Sequence, residues 1–263
     1  MRIALGIEYD GAGFHGWQSQ PDGNTLQDAL ERALAEVAGE SVRLTCAGRT
    51  DAGVHALGQV AHFDSCVERP DNAWVRGTNA HLPDAVAVRW AQPVDEEFHA
   101  RFAALSRSYR YVLYNHPVRP ALQHGHVGWC HRPLDVERMQ TGARLLLGGQ
   151  DYSTFRSAGC QAKSPRKTVY QADVSRHGDM IVFDFRASAF LHHMVRNIVG
   201  ALVAVGSRKQ APAWIAELIS RRDRTLAAAT FSPAGLYFAG VEYAPRWRLP
   251  VDGRSVGPWP VPG

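Results

Sequence analysis

The chain has 263 residues, 45% hydrophobic and 21% charged, a balance that supplies a folded core and excludes a disordered chain. Its formal net charge of +4 and pI near 9.0 come mostly from arginine, whose planar fork suits phosphate, so an anionic partner such as nucleic acid is favoured. No run of about 18 apolar residues occurs, and MRIALGIEYDG enters a strand-like alternation at once, so neither a membrane span nor a secretory signal is expected. Cys46, Cys66, Cys130 and Cys160 lack a C-x-x-C spacing, which speaks against a zinc ribbon or a disulfide framework and suits a reducing cytoplasm.

In chain order, Ile3, Leu5, Ile7 and Tyr9 alternate with Arg2, Ala4, Gly6 and Glu8, the period of a strand with one buried face. A glycine-rich loop, Gly11 to Gly16, follows; it lacks both G-x-G-x-x-G and G-K-[ST], so it implies no nucleotide cofactor. Leu26, Leu30, Ala33, Leu34 and Val37 recur at helical spacing, with a cap at Asn24-Thr25 and a stop at Gly39. Strands are predicted over 42–47, 59–64, 85–91 and 108–115, the last placing Tyr109, Tyr111 and Leu113 on one face. Beyond them come a helix over 134–147 behind Pro133, strands over 168–175 and 180–187, helices over 194–205 and 212–220, and a strand over 236–243. Several strands are close enough for hairpins, which points to an α+β fold with mixed or antiparallel sheets backed by helices. Two similar halves are expected, 1–104 and 105–245, followed by a Pro-rich surface tail over 246–263.

The sharpest chemical segment is Cys46 to His55, lying between two predicted strands. Gly48 and Gly53 let the backbone turn and a ligand approach, while Arg49 and Asp51 set opposite charges two residues apart. Either Asp51 is a carboxylate kept ionised for chemistry, or it bonds its own backbone in a turn and Arg49 is a surface charge. Arg196 stands in an otherwise apolar helix, where it either snorkels to water or meets a buried partner. Tyr109 and Tyr111 are core packing or a stacking face. His124, His126, Cys130, His131, His192 and His193 fit no zinc spacing, so no metal is expected.

CAGRTDAGVHALGQVAHF, starting at Cys46, resembles the signature of the TruA family of pseudouridine synthases. The likeness continues through IEYDGAGFHGWQ, Asn79 to Leu82, FHARF at Phe98 to Phe102, SYRYVLYN at Ser108 to Asn115, FLHHMVRNIVG at Phe190 to Gly200, and GLYFAGVEY. It implies the pseudouridine synthase fold and isomerisation of uridine to pseudouridine in the anticodon stem-loop of tRNA, on the side following the anticodon, with no cofactor. By the same resemblance Asp51 is the catalytic carboxylate, Tyr109 stacks on the flipped base or relays a proton, and Arg196 pairs with Asp51. Arg49 would bind the RNA or help displace the target nucleotide, which must leave its stack to be reached. Tyr111, on the same strand face as Tyr109, competes for its role. Arg107, Arg110 and Arg166 are further substrate-binding candidates, with Arg101, Lys163 and Lys167 beside them. A homodimer with tRNA lying across both subunits is also implied.

Overall fold

The computed structural model describes residues 1–250, which divide into two compact units: Met1–Leu105 with the stretch from Tyr237 onward, and Ser106–Leu236. With strands numbered along the whole chain, the first unit is built on β1 (Arg2–Tyr9), β2 (Thr45–Cys46), β3 (His55–Asp64), β4 (Val86–Val94) and β10 (Leu236–Tyr243). β1 lies antiparallel between β3 and β4, β2 is antiparallel to β3, and β10 joins β3 in parallel where Tyr237 meets His55. The last strand goes to the first unit and not to the second. Its place comes from pairing with β3 across most of the chain, which periodicity cannot register.

Helices α1 (Leu26–Ala38) and α2 (Asp71–His81) pack on each other, and α2 packs on β4. Thr25 caps α1 by accepting the N–H of Asp28, and Gly39 ends it at φ 71° in the left-handed region, as their types require. β1 departs from the expected single buried face, because Ala4 and Gly6 are buried as well. Gly6 faces Trp90 on β4, and a Cβ there would lie 2.0 Å from the indole nitrogen, so the ring covers what alternation marked as wet.

The second unit holds β5 (Ala104–Asn115), β6 (Gly128–Cys130), β7 (Gly148–Asp151), β8 (Arg166–His177) and β9 (Met180–Ala187). Its antiparallel order is β5-β9-β8-β7, with β6 parallel to β5. Helices α3 (Val136–Arg144), α4 (Met194–Gly206) and α5 (Trp214–Arg221) accompany this sheet, with α3 packed on β8 and α4. Phe183, Phe185, Val174 and Tyr111 are buried in this unit's core. The α+β class with mostly antiparallel strands thus holds in each unit.

Two boundaries shorten against expectation: the strand over 42–47 contracts to two residues, and the helix over 134–147 stops at Arg144 in a turn. The tail begins with a 3-10 turn, Pro245–Trp247, whose Trp247 ring is buried against Phe98, so its start is anchored; the expectation for 251–263 lies outside the described residues. No helix among the described residues is long and apolar enough to cross a membrane.

On β3, His62 is 5% exposed and its Nδ1 accepts the N–H of Ala100. Burial, then the charges of Arg2 and His99, pushes its pKa from the ordinary 6.5 to about 4. The unfolded chain therefore binds a proton that the folded one refuses, so stability is full above pH 6.5 and falls as pH drops toward 4. His62→Gln should flatten that part of the unfolding free energy measured against pH; an unchanged slope would assign the loss to other groups.

Candidate active site

The loop between β2 and β3 is held from three sides within the first unit. Ala47 donates its N–H to the Val60 carbonyl at 2.8 Å, and Val54 donates to the Asp51 carbonyl at 3.1 Å, closing a turn in which Gly53 sits at φ 76°. From β1, the Tyr9 hydroxyl bonds the Thr50 hydroxyl at 2.8 Å. From β3, Gln59 Nε2 donates to the Gly48 carbonyl at 2.7 Å. Thr50 is buried, Arg49 is exposed and Asp51 is half-buried.

The third support is the glycine-rich loop after β1. Trp17 donates its N–H to the Thr50 carbonyl at 3.0 Å. A Cβ at Gly11 would stand 2.0 Å from the Val54 carbonyl oxygen, and one at Gly16 would stand 2.8 Å from that of Thr50, with Gly16 also at φ 88°. The two backbones therefore touch where side chains would part them. His55, at the start of β3, adds a further tie: its Nδ1 lies 2.9 Å from the Asp10 carboxylate and 3.1 Å from the Gly11 N–H, and its ring stacks on Tyr237.

Burial sets the protonation around this loop. Tyr9, fully buried, has its phenol pKa raised far above the ordinary value, so it meets Thr50 as a neutral hydroxyl. The Cys46 thiol is pushed up to about 12 by burial, against the fields of Arg49 and Arg101, which leaves it protonated and unreactive at neutral pH.

In the second unit, Tyr109 is half-buried on β5 opposite Phe185, with its ring edge-on to Phe190 at 4.9 Å. Tyr111, expected as its competitor, is corrected by packing: it is 0% exposed, donates its hydroxyl to the Ser232 carbonyl at 2.9 Å, and lies against Phe183 and Phe231. It is core and offers no ring face to a substrate. Arg110, expected among the substrate-binding arginines, lies on the other sheet face and binds both oxygens of Asp184, at 2.8 and 3.1 Å. Arg107 donates to the Ser188 carbonyl at 3.1 Å, and Arg166 is exposed at the start of β8. The ammonium of Lys167 donates to the carbonyls of Ser164 and Arg166, and burial lowers its pKa.

Arg196 lies in the first turn of α4, half-buried, and exchanges two bonds with Phe231: its Nε donates to the Phe231 carbonyl at 2.9 Å, and the Phe231 N–H returns to the Arg196 carbonyl at 3.2 Å. Before it, His193 takes a left-handed conformation at φ 60°, strain that a non-glycine residue keeps only when its surroundings hold it. Behind it, fully buried Asn197 donates to the Phe155 carbonyl and accepts from Arg224 and Thr230. Tyr9, Gln59 and Asn197 were missed as supporting residues. For Gln59 and Asn197 the available signal was a polar side chain at a position whose neighbours are buried, since such a group needs partners.

A family model described as tRNA pseudouridine synthase matches residues 6–103 and 143–244. Among curated relatives, a tRNA pseudouridine synthase A of Dechloromonas aromatica is 64% identical over 95% of both chains. One from Aromatoleum aromaticum is 59% identical over 97% of both, and one from Burkholderia mallei is 57% identical over 98% of this chain and 96% of its own. Among solved structures, a Cbf5-Nop10-Gar1 complex aligns with 76% of this chain and 45% of that one at 13% identity and a TM-score of 0.34, too weak a likeness to bear on the fold.

The contact between the two loops generates an expectation of its own. Gly16→Ala should lower the unfolding free energy by about 1–3 kcal/mol, from the forced left-handed backbone and the crowding of Thr50. It should also speed amide exchange across 48–54. Exchange there at the original rate would show that the loop does not lean on Gly16.

Proposed function

Because the chain belongs to the tRNA pseudouridine synthase family, and so isomerises uridine in tRNA to pseudouridine, we propose that Asp51 is the carboxylate that carries the reaction. The supporting observation is the loop itself: three sets of tethers end on the residues around Asp51, which is half-buried beside an exposed arginine. Such a scaffold fixes the backbone that carries a reacting group, which is what preorganised catalysis requires.

The reaction breaks the N1–C1′ bond, turns the uracil, joins C5 to C1′ and releases the C5 proton. A carboxylate at this place serves as nucleophile toward the sugar or base, or as base toward a sugar proton, and in each case its charge offsets positive character developing on the ribose. Tyr109 stacks on the extruded base or relays a proton, the half-buried ring being already fixed on one edge by Phe190. Arg196 is the ion partner of Asp51, a role that rests on the family resemblance, and its bonds to Phe231 would hold its guanidinium stem in place. Arg49, Arg107 and Arg166 are the substrate-binding arginines of this reading, with Arg49 beside the site of base extrusion. The uridines are those of the anticodon stem-loop following the anticodon, the enzyme is a cytoplasmic homodimer with tRNA across both subunits, and no cofactor takes part.

Tritium release from tRNA labelled at uracil C5 tests the central assignment. Asp51→Asn keeps the shape and removes the charge, so release should fall roughly 1,000-fold or more, about 4 kcal/mol of barrier, with tRNA binding retained. Substantial turnover in that variant would refute the role of Asp51. Arg196→Met should lose activity as well, because it leaves a carboxylate without its cation; full activity would make the ion pair unnecessary.

A further inference from the structure

The segment FHARF ends on a residue that the loop around Asp51 does not use. Phe102 is 76% exposed, yet it is held from beneath. Its ring lies 4.2 Å from that of His99 at 31°. His99 Nδ1 in turn accepts the N–H groups of both Arg101 and Phe102, at 3.2 and 3.3 Å, so this nitrogen carries no proton and the turn is pinned to the ring it packs on. His99 stands edge-on to buried His62 at 4.9 Å, His62 accepts the N–H of Ala100, and the Tyr243 hydroxyl donates to the Ala100 carbonyl at 2.6 Å. The chain of contacts reaches the first unit's core through Phe98, which packs on Tyr243 and Trp247.

A surface aromatic residue anchored this way has little freedom left to lose on binding. The Arg101 guanidinium lies 5.7 Å from the centre of the ring, putting a cation at the rim of the exposed platform. Position also matters. His62 pairs with Thr45 on β2, the strand that leads directly into the loop of Asp51.

We propose that Phe102, with Arg101 at its edge, is a stacking subsite for the base of an unpaired tRNA nucleotide neighbouring the target uridine. Every base has a π-face, so the platform grips a displaced nucleotide without reading its identity, while the guanidinium meets the adjoining phosphate. An aliphatic contact would supply neither the π-face nor the rigidity. The chain's formal net charge of +4 suits a polyanionic partner. The inference rests on tRNA being the substrate.

The test compares wild type with Phe102→Ala, Phe102→Leu and Phe102→Trp by tritium release over a range of tRNA concentrations, with sedimentation run on each. Ala and Leu should both raise KM for tRNA roughly 10-fold or more, with a smaller effect on kcat, while Trp restores KM toward the original. Melting temperatures should agree, since the side chain is exposed. An unchanged KM in Phe102→Ala overturns the proposal. So does a Leu variant as good as Trp, especially if Ala shifts the monomer–dimer balance, because the ring would then be an apolar contact between copies that includes neighbouring exposed Leu105. Release by wild type is the internal control: its absence would sink the reading of the reaction, whereas its presence with flat KM values would sink only the subsite.

Discussion

The close approach of two backbones, Gly11 to Gly16 against Thr50 to Val54, is the constraint on which the conformation of the loop around Asp51 depends. A loop carrying a charged, half-buried side chain gains little from hydrophobic burial, so its conformation has to be fixed by polar ties. Here those ties come from the main chain where glycine permits contact, and from neutral side chains beneath. Tyr9, Thr50 and Gln59 supply bonds to the loop without a net charge. Burial reinforces this by holding the Tyr9 phenol and the Cys46 thiol in their protonated forms.

The same logic reaches further along the chain. β3 carries the polar supports on alternate sides of a mostly apolar strand: Gln59 holds the loop, and His62 holds the turn at Ala100. Both are buried, and the Gln59 amide nitrogen and the His62 Nδ1 each bond the main chain. A neutral histidine suits this place because its Nδ1 can accept an N–H without bringing a charge into the core. Two arms of one strand therefore fix both the loop around Asp51 and the turn that carries Phe102, and both belong to the same unit.

How much of this was legible in the sequence follows from the range of each interaction. α1, with Thr25 and Gly39 as its caps, and β9 and the last strand emerged from local pattern, because caps and periodicity are properties of neighbours in the chain. α2 was missed, since only Trp74 and Thr78 among its residues are buried and Gly77 interrupts its propensity where it meets Val37 of α1. The placement of the last strand, the ring over Gly6 and the partner of Arg110 were invisible for a common reason: each depends on a residue distant in sequence. Asp51 stood out through its glycines and neighbouring arginine, but its supports did not, because a buried glutamine or tyrosine has no signature of its own.

The arginines show what structure adds to composition. Arg107, Arg110, Arg166 and Arg101 looked alike as basic side chains near the motifs. Arg110 proves to be half of a two-bond ion pair with Asp184, so its charge is largely met within its own sheet. Arg107 is directed to a carbonyl, Arg166 stands at an exposed strand end, and Arg101 rides the edge of an exposed ring. A basic composition alone supplies a diffuse field that draws RNA from solution, and it assigns no contact. A contact needs a cation held against something rigid that RNA can also use, and Arg101 over the exposed ring of Phe102 meets that condition.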